Sequence, residues 1–277
     1  MRGRVLVIAG SDSGGGAGIQ ADIKTITALG AFAATAITAL TAQNTLGVHG
    51  VMPVPVDFIR QQIDVVMSDI GADVIKIGML GDIATIETVC DALADFAPGV
   101  PVVLDPVMVA KGGQALLAAE AVDCLKRRLL PRAAVLTPNL PEAEALTGLT
   151  IRTEGEMRVA AAALLASGAP AVLLKGGHLQ SDTVVDLLAT AAGIEAFAAP
   201  RIETRHTHGT GCTTASAVAA GLAQGLSLPD AVIRARHYVR AAIGAAPGFG
   251  KGHGPLDHAV TVDVGCLAGP AQNPRTG

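Results

Sequence analysis

Short unbroken apolar runs alternate along this chain with longer segments whose apolar residues recur every three or four positions. Residues 4–9 form the first run, rich in β-branched side chains and closed by Gly10, the pattern of a strand covered on both faces. Ile19, Ile23, Ile26 and Leu29 then keep helical spacing until Gly30 supplies a stop. The alternation continues, predicting strands at 33–40, 73–77, 102–104, 133–136 and 171–174 and helices at 56–70, 83–96 and 119–130. Thr153-Glu154-Gly155-Glu156 is a capping box opening a helix that runs to Ser167, and Ser227-Leu228-Pro229-Asp230 opens the last long helix by the same logic. Segments 182–188 and 194–198 read as antiparallel additions near one sheet edge. Strands joined by helical crossovers give an α/β fold, a mostly parallel central sheet with helices on both faces. No repeat or linker breaks residues 1–262, so a single domain is expected there. From 263 to 277 Gly, Pro, Asn and Thr displace the periodicity, and a loose tail is expected.

Composition narrows the partners. Half of the 277 residues are apolar, enough for a substantial core, but only 2% are aromatic and none is Trp. A net charge of −4 without a basic cluster, and the lack of aromatic stacking platforms, argue against nucleic acid and for a small-molecule substrate. The first apolar run meets Gly10 and Asp12 too soon for a signal peptide or a membrane span, so a cytoplasmic enzyme with no membrane partner is the default. Cys90, Cys124, Cys212 and Cys266 form no Cys-x-x-Cys pair, and the first two fall inside helical patterns as buried fillers.

Candidate chemistry gathers where strands end, because ligands of open α/β sheets collect beyond the carboxyl ends of the strands. Gly16, Gly18 and Ala21 satisfy G-x-G-x-x-A, yet Thr41-Ala42-Gln43-Asn44 stands where a ribose-binding acid is needed, and no G-x-x-x-x-G-K-[ST] occurs. A dinucleotide site and an ordinary P-loop are therefore discounted. Asp12 and Asp22 flank the first glycine loop, Gln43 and Asn44 follow the second strand, and Lys76 and Met79 lie in KIGML. Asp105 ends VVLDPVM, Asn139 and Glu142 sit in TPNLPEAE, and Lys175 ends VLLKGG. Each has a plain structural explanation: Asn139 and Glu142 match a capping box as well as a metal shell, Asp105 a turn, Lys175 a solvated strand end.

The centre of interest is RHTHGTGCTTASA. Gly209, Thr210, Gly211 and Cys212 form a turn entering an Ala-rich helix, whose free first-turn amides suit a phosphate or developing oxyanion. Cys212 there is either a small apolar filler or a thiolate favoured by the helix dipole and able to accept a proton. His206 and His208 alternate beside it without enough further ligands for zinc, and His178 and His253 read as surface or loop residues. Acid, amide, lysine and anion hole in this order suit phosphoryl transfer.

Taken together, GSDSGGGAGIQADIKT, ITALTAQNT, KIGML, VVLDPVMVAKGG, LLPRAAVLTPNLPEAEALTG, VLLKGGH and THGTGCTTASA resemble the ribokinase-like superfamily, and within it the hydroxymethylpyrimidine/phosphomethylpyrimidine kinases of thiamine biosynthesis. The resemblance implies ATP and Mg²⁺ as cofactors, a homodimer, and phosphorylation of 4-amino-5-hydroxymethyl-2-methylpyrimidine and then of its monophosphate. It implies Cys212 as the base and Gly209, Thr210 and Gly211 as the anion hole. Gln43 and Asp22 would bond the substrate ring, with Gly10, Met79 and Val107 lining its pocket. Asp105, Asn139 and Glu142 would serve the Mg²⁺–phosphate end, the metal resting on Asp105 and Glu142 directly or through water, and Lys175 would take the nucleotide phosphates. Two departures touch loops: Ser13-Gly14 replaces the family's Pro-Ser, expected to loosen the first loop, and VAKGG at Gly112 replaces VAKSG. A pyridoxal kinase of the same branch is the rival reading, disfavoured by the Gln43-Asn44 pair. A silent ligand-binding protein on this fold is the second, disfavoured because Cys212, Asp105 and Lys175 are all present.

Overall fold

A computed structural model describes residues 2–110 and 112–263. The tail from 264 onward, Cys266 and Lys111 lie outside the described residues. The chain runs β1 (Arg4–Asp12), α1 (Gly18–Ala28), β2 (Phe32–Asn44), β3 (Gly47–Pro53), α2 (Val56–Asp69), β4 (Val74–Ile77) and α3 (Ile83–Phe96). It continues through β5 (Val102–Leu104), α4 (Ala121–Arg128), β6 (Val135–Leu136), α5 (Leu140–Thr147), α6 (Glu154–Ala166) and β7 (Ala171–Leu174). The hairpin β8 (Thr183–Thr190) and β9 (Gly193–Pro200) then precedes α7 (Thr210–Ala223) and α8 (Leu228–Gly244). All nine strands join one sheet in the order β3-β2-β1-β4-β5-β6-β7-β8-β9. The six strands β1, β2, β4, β5, β6 and β7 are mutually parallel. Antiparallel β3 closes one edge and the β8–β9 hairpin the other.

Strand periodicity explains the two-sided core. Leu6 and Ile8 face a cluster built with Ile59, Ile63, Leu93 and Leu104, while Val5 and Val7 face Ile26, Val218 and Val239 on the other side. The central strands carry no exposed face, which is why they read as unbroken apolar runs. Helix ends follow the local signals: both halves of the capping box form at Thr153 and Glu156, and Ser227 accepts from the Asp230 amide.

The differences from the expected elements are instructive. β1 reaches Asp12 and β2 reaches Asn44, each several residues past its apolar run, because the two strands go on pairing beyond a register shift between Ala9 and Ser11. β3 is a strand that the hydrophobic pattern does not announce, since its residues sit half-buried or exposed at the sheet edge. The helix expected over 119–130 is shorter, its last turn tightening into 3₁₀ geometry at Leu130–Arg132 around Pro131. Among the described residues no helix is long and apolar enough to cross a membrane.

The topology also locates the site. β1 is followed by β2 on one flank and, after the excursion through β3 and α2, by β4 on the other, so the winding reverses beside β1 and opens a crevice at its carboxyl end. Leu104, fully buried, is the last residue of β5, directly before Asp105 in the lining of that crevice. Leu104→Ala is expected to lower stability by about 2–5 kcal/mol through lost burial and a residual cavity, measured as a shifted urea midpoint with an unchanged slope.

Candidate active site

A cleft of about 860 Å³ runs along the carboxyl ends of the strands. Its deep end is built by the start of α7. Gly209 caps this helix with φ of 83°, and a Cβ there would stand 1.8 Å from the carbonyl oxygen of Gly16. Only glycine lets the entry of α7 press against the first glycine loop. The Thr210 amide turns back to Thr207 O at 3.3 Å, while those of Gly211 and Cys212 belong to the first turn, which no helical carbonyl can reach. A Cβ built on Gly211 would lie 3.3 Å from Lys175 Nζ and 3.9 Å from Asp105 Oδ2. Helix mouth, lysine and carboxylate therefore converge within the span of one phosphoryl group.

Lys175 Nζ pairs with Asp105 Oδ1 at 3.0 Å, and Thr137 Oγ1 donates to the same oxygen at 3.3 Å. Burial pulls the Lys175 ammonium down, but Asp105 and Glu142 outweigh it and hold its pKa above the ordinary value. Asn139 and Glu142 do form the full capping box of α5: Asn139 N donates to Glu142 Oε2 at 2.8 Å, and Glu142 N to Asn139 Oδ1 at 2.9 Å. Both also line the cleft, so the cap orients Glu142 without excluding it from the site. Burial pushes the Glu142 carboxyl up to about 7, with Lys175 opposing and Asp105 adding to the rise.

A divalent cation can be tested against this arrangement. Lys76 and Lys175 bring two positive charges against three carboxylates, Asp22, Asp105 and Glu142. Oxygen donors with excess negative charge fit Mg²⁺, which typically takes one or two carboxylates and completes its shell with water and phosphate oxygens. No group of three or more His, Cys, Asp or Glu residues able to hold a metal assembles among the described residues. His206 turns its ring toward Gly254, away from the Asp12 carboxylate that His208 meets.

At the other end, Gly10, Met79, Val107 and Gln43 all line the cleft. A Cβ on Gly10 would lie 3.0 Å from Met79 Sδ, so a side chain there would crowd the methionine. Ser13 does not slacken the first loop: its hydroxyl accepts from Gln43 N at 2.8 Å and donates to Gln43 O at 3.0 Å, fastening loop to strand.

Two expectations are corrected. Asp22 does not face the ring pocket; it is fully buried on α1, with Oδ2 on Lys76 Nζ at 2.9 Å and Oδ1 accepting from Ser216 Oγ at 2.6 Å. A carboxylate one helical turn beyond Gly18 points into the α1–α7 interface, and its partner Lys76 reaches the cleft in its place. Lys76 carried a signal that spacing alone leaves unused, a charge inside the apolar strand VIKI that must find a buried partner. The second correction concerns Cys212. The helix dipole was expected to favour the thiolate, yet burial dominates and, opposed by Lys76 but reinforced by Asp22 and Asp105, pushes the thiol up to about 12. At neutral pH Cys212 is a thiol.

Fold and site together define the class, a phosphotransferase on the ribokinase-like fold. A model of the phosphomethylpyrimidine kinase family matches residues 12–257, and the chain belongs to that family. Its relatives include the hydroxymethylpyrimidine/phosphomethylpyrimidine kinase of Streptomyces coelicolor, 52% identical over 92% of this chain and 93% of that protein. The thiamine biosynthesis bifunctional protein ThiED of Geobacter sulfurreducens is 52% identical over 95% of this chain, which spans 53% of that longer protein. Among solved structures, the ADP complex of Bacillus subtilis pyridoxal kinase superposes with a TM-score of 0.87 at 37% identity, covering 94% of this chain and 98% of that one.

The raised thiol gives a direct measurement. Alkylation of Cys212 by iodoacetamide in the unliganded protein, followed by mass spectrometry, should be slow at about pH 7 and climb without levelling beyond about pH 10. A plateau near an ordinary thiol value would contradict the burial effect.

Proposed function

We propose that this protein transfers a phosphoryl group from ATP to the hydroxymethyl oxygen of 4-amino-5-hydroxymethyl-2-methylpyrimidine, then a second to the resulting monophosphate, in thiamine biosynthesis. The observation that carries the reading is the meeting of the α7 mouth with Lys175 and Asp105 at 3.3 and 3.9 Å from the Gly211 Cβ position, across one cleft from Gln43. Phosphoryl transfer demands mainly positioning and neutralisation of spreading charge, and these groups supply both. The amides of Gly211 and Cys212 stabilise the equatorial oxygens of the transferring group, and Lys175 neutralises the nucleotide phosphates. Asp105 and Glu142 would hold Mg²⁺, with Asn139 fixing Glu142; the bound ion adds positive charge at the phosphate oxygens. Cys212 takes the hydroxyl proton.

The high pKa of Cys212 sets the expected pH dependence. A base must be deprotonated to act, so a thiol pushed up to about 12 makes turnover rise with pH through and above neutrality. Occupation of the Asp105 end by a cation removes one of the negative charges that raise it. The ring pocket is formed by Gly10, Met79 and Val107, with Gln43 as its hydrogen-bonding side chain.

Residues 1–262 act as one domain in this reading. A homodimer is supported by the large apolar side chains left exposed on the β2–β3 edge, where Leu40 and Met52 are registered partners, and by neighbouring Phe58 on α2. The free thiols Cys90, Cys124 and Cys212, together with a nucleotide substrate, suit the reducing cytoplasm.

The structural likeness to a pyridoxal kinase favours one alternative, pyridoxal as the acceptor. Purified protein should consume ATP far faster with the hydroxymethylpyrimidine than with pyridoxal, and chromatography should resolve mono- and diphosphate products; the opposite preference would move the assignment to pyridoxal. Cys212→Ala should lower turnover by about 10²-fold or more, the usual worth of a general base, in a steady-state assay at fixed pH. A mutant as active as the parent removes the thiol from the mechanism.

A further inference from the structure

Lys175 is followed at once by an irregular loop, residues 176–182, whose Gly177 and His178 form part of the cleft wall. Two side chains outside the loop hold it. Arg201, directly after β9, gives it every kind of guanidinium nitrogen: Nε donates to Ser181 O at 2.7 Å, Nη1 to Gly177 O at 3.1 Å and Nη2 to Leu179 O at 2.6 Å. The Arg201 amide adds a bond to Asp182 O at 2.7 Å. An arginine lining a cleft for phosphates invites reading as a phosphate ligand, but this one directs its fork at alternate carbonyls of its own chain.

Asp186 holds the start of the same loop. The β7–β8 ladder ends with Leu174 opposite Leu187, and beyond it Gly176 comes so close to β8 that a Cβ would lie 1.9 Å from Val185 O. Only glycine fits there. Its amide leaves the ladder and donates to Asp186 Oδ1 at 3.0 Å, while Asp186 Oδ2 accepts from Arg236 Nε of α8 at 2.8 Å. On the opposite flank Lys175 N donates to Pro138 O at 2.9 Å. Lys175 is thus held by its own amide on the β6 side and by its neighbour's amide on the β8 side, and from this backbone its ammonium reaches Asp105 at 3.0 Å.

We infer that Arg201 and Asp186 are positioning residues for phosphoryl transfer: they fold the 176–182 loop against β8 and β9 and so fix the backbone from which Lys175 reaches the nucleotide phosphates. Neither needs to touch the nucleotide. The inference rests on the role proposed above for Lys175. At Arg201 the requirement is geometric as well as electrostatic, because the carbonyls of 177, 179 and 181 take their bonds from three nitrogens of one rigid plane. A lysine there keeps the charge and loses the fork. Displacing a group that acts on the transferring phosphate by about 1 Å can cost as much as about 10²-fold in rate.

The test combines steady-state kinetics, with ATP and 4-amino-5-hydroxymethyl-2-methylpyrimidine varied in turn, and calorimetric titration of the pyrimidine into the full chain. Arg201→Ala and Asp186→Ala should each lower kcat/KM for ATP by about tenfold or more while the dissociation constant of the pyrimidine stays as in the parent. Arg201→Lys should fall as far as Arg201→Ala. Unchanged ATP kinetics in the folded variants, an Arg201→Lys protein as active as the parent, or an equal loss of affinity for the pyrimidine each overturns the inference. If the alanine variants do not fold, judged by circular dichroism, Arg201→Lys decides alone. Wild-type protein that consumes no ATP with the pyrimidine overturns the kinase reading itself, and the inference with it.

Discussion

One carboxylate holds the two halves of the site together. Asp12, at the end of β1, accepts three loop amides and the ring of His208, a residue that stands two positions before the first turn of α7. Hydrogen bonds to a charged group contribute about 1.5–3 kcal/mol each, and a buried carboxylate without them would be strongly destabilising. The loop is thereby wrapped around Asp12, Gly16 O is brought against Gly209, and the mouth of α7 takes its place over the sheet. The mouth of α7 and the first glycine loop share this anchor, a contact between segments 196 residues apart in the chain.

A second ionic contact lies underneath. Lys76 and Asp22 are both fully buried and meet at 2.9 Å, with Ser216 on the remaining carboxylate oxygen. Removing two charges from water costs several kcal/mol per ion, and the mutual attraction offsets this only when the remaining donors and acceptors are satisfied. Ser216 is one helical turn after Cys212, so the pair is pinned beneath the face of α7 that carries the thiol. Its positive member reaches the cleft floor and its negative member does not. Burial pulls the Lys76 ammonium down, yet Asp22 and Asp105 outweigh it and keep it charged. A charged ammonium thus lies at the cleft floor without being exposed to solvent.

The central strands and most helices could be read from hydrophobic spacing because burial on both sheet faces leaves a dense, local signal, as at residues 102–104 and 171–174. The residues that meet at the cleft were also legible, since strand ends are where such folds collect ligands and glutamine, lysine and acid stood there in order. What spacing could not supply is direction and depth. Asp22 lies on the right helix, but which way its side chain points depends on the α1–α7 packing. Cys212 lies at a helix mouth, but whether dipole or burial governs it depends on how much protein surrounds the sulfur. β3 escaped because an edge strand has little to bury. His208 was weighed for zinc on its sequence neighbours, whereas its partner is Asp12, visible only in three dimensions.

The direction of the Cys212 shift bears on selectivity between the acceptor and water. If Cys212 is the base, a thiol at about 12 is held protonated at neutral pH until the acceptor seats. A base with a depressed pKa would stand ready whether or not the acceptor was present, and would assist hydrolysis as readily as transfer. In a loose phosphoryl transition state the nucleophile's proton becomes acidic only as its bond to phosphorus forms, so a base of low occupancy limits a well-positioned hydroxyl less than a mobile water. In that reading the burial that defeats the helix dipole at Cys212 favours the correctly seated alcohol over water.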